Sequence, residues 1–196
     1  MKQTDIINPF QPYMTLEMDG YSQINRTDYG ISHFYEFTIH DEKKHCIKAV
    51  PDASIDLLFN IGENKVSTYI SGTVFGVKKW ELGTQDDCFG VRFQPGQGIL
   101  PKDITMEMIV NDDIEIDGDI FGKNLTEKIA LAKTMSERID IFKKAYEDIV
   151  LGRSSLSDKE KINEYLVNRI SRTKGMITMR QLEDETNYSA CYLRRI

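Results

Sequence analysis

The stretch SIDLLFNI, Ser54 to Ile61, decides the fold class, because Ile55, Leu57, Phe59 and Ile61 alternate with Asp56, Leu58 and Asn60. Apolar residues at every second position line one face of a β-strand, whereas a helix would need them three and four apart. The same period returns in CFGVRF, Cys88 to Phe93, where Phe89, Val91 and Phe93 share a face and Arg92 opposes them. SHFYEFTI (Ser32 to Ile39), KVSTYISG (Lys65 to Gly72) and the run from Phe75 to Leu82 are further short segments rich in aromatic and β-branched residues. Turn residues separate them at Pro51-Asp52, Gly62-Glu63-Asn64, Gly72, Gly83 to Asp87 and Pro95-Gly96. Short strands from Asn25 to about Phe93 without intervening helices predict an antiparallel sandwich or barrel. Residues 1–24, broken by Pro9, Pro12 and Gly20, read as an irregular lead-in.

After Pro101 the period changes to that of a helix, so the fold class is α+β. Helices are expected over Leu125 to Lys133 and over Ser136 to Leu151, with Ser136 as N-cap of the second. There Ile139, Phe142, Tyr146, Ile149 and Val150 form one apolar stripe, which suits burial against the sheet or against a second subunit. Gly152-Arg-Ser-Ser reads as a linker. A third helix is expected from about Ser157 to Lys174, its apolar side formed by Ile162, Tyr165, Leu166, the stem of Arg169 and Ile170, with Gly175 in the C′ position.

The chain has 196 residues, enough to bury a substantial core, and 40% of them are apolar. It contains no apolar run long enough to span a membrane and no export signal at its N-terminus. Its three cysteines, Cys46, Cys88 and Cys191, form no C-x-x-C pair, which speaks for a reducing, cytoplasmic location. The net charge of −6 is unevenly spread. From Leu151 to Ile196 nine basic residues outnumber six acidic ones, so this segment carries +3 and the preceding 150 residues carry −9. An acidic body with a mildly basic C-terminal segment suggests two parts with two functions.

The last twenty residues are the most informative motif. Thr178 can cap a short helix carrying Leu182, Asn187 can adopt the left-handed conformation that ends it, and Ser189 can cap a second helix. Helix, tight turn and helix is the arrangement that lays a recognition helix in the major groove of DNA. Leu193 and Ile196 would face inward, and Cys191, Arg194 and Arg195, at i, i+3 and i+4, would face outward. An arginine can donate two hydrogen bonds to a guanine edge. The same pattern also serves as an ordinary solvated hairpin. Only seven residues follow Ser189, fewer than two helical turns, so the sequence reads as a piece of a longer chain.

The pattern L-x-x-x-x-N-Y-S-x-x-Y-L-x-R, from Leu182 to Arg195, resembles the first helix-turn-helix of AraC/XylS-type transcriptional regulators. Glu183 and Asn187 stand where that family usually has a small residue and a glycine. The segment from Pro51 to Gly62 resembles the P-D-G-x-x-D-L-I-F-x-x-G of one branch of these regulators, and Gly90 to Gly96 is similar to its G-V-R-F-x-P-G. Asp119-Ile-Phe-Gly122, followed by two helices, matches the expected order. The resemblance implies a β-rich, cupin-like domain over 1–122 that senses a small molecule or mediates assembly, a helical connector over 123–151 that can dimerise, and the first part of a DNA-binding domain over 157–196. It implies operator DNA, a small-molecule effector and a homodimer as partners, with no membrane association, no cofactor and no enzymatic activity. Ser189, Cys191, Arg194 and Arg195 would carry DNA contacts.

Asp56 and Arg92 would meet if their strands are neighbours, either as an ion pair fixing strand register or as contacts to the effector. Phe59, Trp80 and Phe93 join them as candidate lining of an effector pocket. The alternative reading is a small cupin-like binding protein or metalloenzyme with a helical tail. A cupin metal site needs histidines two apart on one strand face, and His33, His40 and His45 lie seven and five apart. No nucleophile elbow, phosphate-binding loop or dinucleotide fingerprint is present. Cys88 sits in an apolar run and is read as core.

Overall fold

Strand pairing follows from the alternation in residues 56–61 and 87–93, which need a partner on each edge and cover on both faces. The computed structural model describes residues 9–38, 46–63, 65–81, 87–153 and 156–196. Its first unit covers Asn8–Gly152. A short helix α1 (Pro12–Glu17) precedes β1 (Asp19–Asn25), β2 (Ile31–Thr38), β3 (Cys46–Ala49), β4 (Asp56–Ile61), β5 (Val66–Ser71), β6 (Lys78–Glu81) and β7 (Asp87–Phe93). The single-turn helix α2 (Met106–Ile109), strand β8 (Asp113–Ile116) and helices α3 (Leu125–Leu131) and α4 (Met135–Gly152) complete the unit.

Six strands form one antiparallel sheet in the order β1-β2-β7-β4-β5-β8, and β3 pairs with β6 as a separate two-stranded ribbon. One sheet face presents Phe34, Leu57, Phe59, Ile70, Phe89, Val91 and Phe93. Onto it packs the predicted stripe of α4, with Ile139, Phe142 and Tyr146 buried and Ile149 and Val150 at the margin. Phe142 meets Phe34 and Phe59 edge-on at centroid distances of 5.9 and 6.3 Å, and Tyr146 lies 5.4 Å from both Phe93 and Phe142. Edge-on and tilted rings place positive edges against negative faces, which adds to the burial of their area. The other face carries Tyr35, Phe37 and Cys88, covered in part by Met14 and Met18.

The second layer therefore settles the stripe on α4 as a sheet contact. Several expectations are corrected. The lead-in over residues 1–24 contains α1 and all of strand β1 but its last residue, Asn25. The run from Phe75 forms strand only from Lys78, and Phe75 and Val77 are exposed. Thr134, not Ser136, starts α4: its carbonyl accepts the Arg138 amide at 3.1 Å and its hydroxyl the Glu137 amide at 3.3 Å. Asp119 in the D-I-F-G motif has a local structural role, since its carboxylate accepts the amides of Asn124 and Leu125 at the start of α3.

The second unit includes Arg153–Ile196. It contains α5 (Asp158–Arg172), α6 (Met179–Thr186) and α7 (Ala190–Leu193). Leu166, Leu182 and Leu193, one from each helix, form its buried core, with Ile162, Ile177, Met179, Tyr192 and Ile196 around them. Tyr165 and Ile170, expected on the inner side of α5, are 40% and 44% exposed. At the end of α5 the left-handed C′ residue is Lys174, one position before the expected Gly175: the Gly175 amide reaches the Ile170 carbonyl and the Lys174 amide the Ser171 carbonyl, a Schellman closure. Ser154 and Ser155 of the expected linker lie outside the described residues. No helix among the described residues is long and apolar enough to cross a membrane.

Gly90 pairs with both Tyr35 and Leu58, and the Tyr35 ring crosses directly over it. A Cβ at position 90 would stand 2.0 Å from the ring. Replacing Gly90 by Ala is expected to destabilise the protein by about 1–3 kcal/mol through overpacking. Thermal unfolding measures this, and an unchanged midpoint would show that the ring is free to move aside.

Candidate functional site

The face of the sheet opposite α4 floors a cavity of about 190 Å³. Strand alternation selects its floor: Tyr35 and Phe37 from β2, Arg92 from β7, Asp56, Leu58 and Asn60 from β4, and Tyr69 and Ser71 from β5. Trp80 on the β3–β6 ribbon, Met14 and Gln11 near α1, and Asp113 on β8 complete the wall together with the loops at 49–54 and 72–74.

At one level of the sheet the register aligns five polar residues across five strands. His33 pairs with Arg92, Arg92 with Asp56, Asp56 with Ser71, and Ser71 with Asp113. The Arg92 side chain is 5% exposed. Its Nη1 donates to Asp56 Oδ2 at 2.6 Å, and its Nη2 donates to Asp52 Oδ2. Asp52 is itself fixed: Gln11 Nε2 donates to its Oδ2 at 2.8 Å, and its Oδ1 accepts the Ser54 amide at 3.1 Å. Gln11 also bonds both backbone groups of Val50 at 2.8 Å. Ala53, in the turn between these anchors, has φ of 60°, the left-handed region that L-residues enter at a cost of roughly 1–2 kcal/mol. It occupies the place of the glycine in the P-D-G pattern.

The electrostatics follow from burial. Burial pushes the Asp56 carboxyl up to about 6 against the opposing pull of Arg92. Burial also raises the Tyr35 phenol well above its ordinary range. For Arg92, burial disfavours the charge, but Asp56 and Asp52 outweigh it and keep the guanidinium protonated. His33, hydrogen-bonded through Nδ1 to the Ser32 hydroxyl, is lowered to about 4, by burial first and then by the charge of Arg92.

Of the five residues expected around an effector, the structure brings together Asp56, Arg92 and Trp80. Phe59 and Phe93 do not belong to this site. Each is one residue out of phase with it, and both are buried under α4, at 0% and 2% exposure. Asp52 and Gln11 join the cluster without being among the expected residues: Asp52 lies in the P-D-G-like segment, and nothing local in the sequence marks Gln11. His40 and His45 lie outside the described residues, and among the described residues no three His, Cys, Asp or Glu side chains are grouped to hold a metal.

In the second unit, α6 opens with a capping box, Thr178 and Gln181 each bonding the other's backbone amide, and ends at Asn187 with φ of 58°. Ser189 caps α7 through the Tyr192 amide at 3.3 Å, and Glu183 Oε1 accepts the Ala190 amide at 2.6 Å. Arg169 forms a two-pronged ion pair with Glu185, to which Tyr165 also donates, joining α5 to α6. Ser189, Cys191, Arg194 and Arg195 are all exposed, while Leu193 between them is buried.

Comparison with known proteins yields one family match. The model for a domain of unknown function (DUF6597) matches residues 29–115, the segment that contains Asp52, Asp56, Trp80, Arg92 and Asp113. No curated protein and no solved structure matches the chain.

Removing Arg92 leaves two largely buried carboxylates, 12% and 15% exposed, without their cation. Arg92→Ala is therefore expected to lower stability by about 3–5 kcal/mol in denaturant titrations. A loss below about 1 kcal/mol would mean that the carboxylates reach water. The lowered pKa of His33 has a definite sign: between pH 4 and 6.5 the unfolded chain binds a proton there and the folded chain does not. Stability from this residue is thus present above pH 6.5 and lost as pH falls toward 4. The stability difference between the native protein and His33→Gln should grow by about 3 kcal/mol as pH rises across that window. Parallel stability–pH curves for the two proteins would contradict a buried, neutral His33.

Proposed function

We propose that the protein is a DNA-binding transcriptional regulator of the AraC/XylS type, in which the β-rich unit binds a small molecule and the helices beyond residue 157 read operator DNA. The observation that carries the reading is the tight turn at Asn187 between two capped helices, with Leu182 and Leu193 inward and Cys191 outward; α7 ends at Leu193, so Arg194 and Arg195, expected on the helix, are exposed immediately after it. A major-groove reader needs this division between a buried seam and an exposed, hydrogen-bonding face. The +3 charge of residues 151–196 adds attraction for phosphates. Glu183 supports the reading as well, because its carboxylate stabilises the start of α7 instead of forcing the two helices apart.

The cavity supplies the sensing half of the proposal. It is walled by aromatic rings and convergent polar groups, the composition of a small-molecule site. A regulator of this kind acts in the cytoplasm, where its operator is, catalyses no reaction, and responds because the effector binds one arrangement of the protein more tightly than another.

Selection of duplexes from a random library, followed by titration, tests the DNA-reading half. Arg195→Ala is expected to weaken binding to the selected sequence by about 1–3 kcal/mol while leaving the unfolding midpoint unchanged. If native and variant proteins bind selected and random duplexes with equal affinity, Arg195 reads no bases.

A further inference from the structure

The groups on the cavity wall are unequal in sign and in availability. Arg92 is the only cation among its described lining residues, and both terminal nitrogens of its guanidinium already donate to Asp56 and Asp52. Both Asp52 oxygens are engaged as well. Three buried polar atoms of the lining residues have no hydrogen-bond partner: Asp56 Oδ1, the hydroxyl of Ser54, a residue only 2% exposed, and Arg92 Nε. The Tyr35 phenol also acts on the Asp56 carboxylate. Asp113 lies in the same cross-strand row as Asp56, with Ser71 between them. Adjacent strands are about 4.8 Å apart, so one group seated over Ser71 has a carboxylate within reach on either side. Lys78 is a competing cation: it lies 3.7 Å from Asp112 and over the Trp80 ring, 3.8 Å from its centroid, and its charge also acts on Asp113.

These features discriminate among ligands by charge. A carboxylate or phosphate would meet three carboxylates against the one guanidinium charge of Arg92, whose terminal nitrogens are already taken and whose Nε alone remains to donate. A hydrocarbon would leave Ser54 Oγ and Asp56 Oδ1 buried and unpaired. An ammonium group offers donors to these oxygens, and a carbon body fits against Tyr35, Phe37 and Trp80, whose ring faces also attract a cation. The volume lies below the roughly 300–1,000 Å³ of drug-sized sites, which restricts the body to about one ring with a short arm.

We propose that the cavity binds a small primary amine, its ammonium group held over Ser71 between Asp56 and Asp113 and its carbon body against Tyr35 and Trp80. This rests on the ligand-binding reading above and adds the charge and class of the ligand.

The test titrates the protein with 2-phenylethylamine, tyramine and cyclohexylmethylamine, each beside its matched alcohol and carboxylate. Calorimetry and the fluorescence of Trp80, the only tryptophan, report binding. At least one amine is expected to bind saturably, its alcohol at least tenfold more weakly and its carboxylate not measurably. Asp113→Asn, at an exposed edge position, is expected to weaken the amine at least tenfold, leave the alcohol unaffected and preserve the unfolding midpoint. An alcohol or carboxylate that binds as tightly as its amine overturns the charge assignment but leaves the ligand-binding reading standing. If none of the amines binds, the proposal is overturned, and a thermal-shift screen of neutral sugars and organic acids then judges the ligand-binding reading separately. Unchanged amine affinity in Asp113→Asn also overturns it, because the row across Ser71 would then play no part.

Discussion

A guanidinium cannot be taken out of water without anionic partners, and the arrangement around the cavity follows from satisfying Arg92. Its two carboxylates come from different places: Asp56 is its direct cross-strand neighbour, and Asp52 belongs to the turn that feeds β4. Meeting both fixes the register of β4 against β7 and the path of residues 50–54. Gln11 then ties the start of the chain to the same turn. A one-residue slip of β4 would place Asp56 among the phenylalanines under α4 and bring Leu57 to the guanidinium, so the ion pair and the aromatic core exclude wrong registers together. Desolvation absorbs much of the attraction within such a cluster; what it contributes most directly is uniqueness of pairing.

The same alternation gives the sheet two faces with different uses. Phe34, Phe59, Phe89 and Phe93 present a continuous apolar surface that α4 covers with Ile139, Phe142 and Tyr146. Because that side supplies the main core, the opposite side is free to carry polar and titratable groups. It does so in one row, from His33 to Asp113. Gly90 opens that side further, since the absence of a side chain lets the Tyr35 ring lie down on the sheet beside the charged cluster.

What was legible in the sequence follows from how local each signal is. β4 and β7 are central strands whose alternation is written in six or seven consecutive residues, and the opposition of Asp56 and Arg92 to the apolar face could be read directly. β1 (DGYSQIN) and β8 (DIEI) are the two edges of the sheet. An edge strand needs cover along fewer contacts and tolerates polar residues, so its sequence resembles a loop. Gln11 reaches Asp52 across 41 residues, and no local pattern announces such a contact. The misplacement of Phe59 and Phe93 has a different origin. Aromatic residues suit both a core and a ligand pocket, and only their phase relative to Asp56 and Arg92 separates the two. Since Asp56 and Phe59 are an odd number of residues apart on one strand, that phase was already present in the sequence.

In the helical unit, two departures from the helix-turn-helix pattern that this segment resembles resolve into one local solution. A glycine at the turn would enter the left-handed region without strain; Asn187 enters it at φ of 58°, and Asn is among the few other residues that do so readily. A small residue after the leucine would let the helices approach; Glu183 instead points its carboxylate at the first amide of α7 and accepts from Ala190. Ser189 satisfies the amide of Tyr192, so two of the donors left open at that helix start are closed by side chains. A negative group there also complements the positive end of the helix. The turn is thereby held by hydrogen bonds, and Cys191 on α7 and Arg194 and Arg195 just after it stay exposed. A charged residue at a tightly packed position is compatible with a helix-turn-helix when its carboxylate serves as the cap of the next helix.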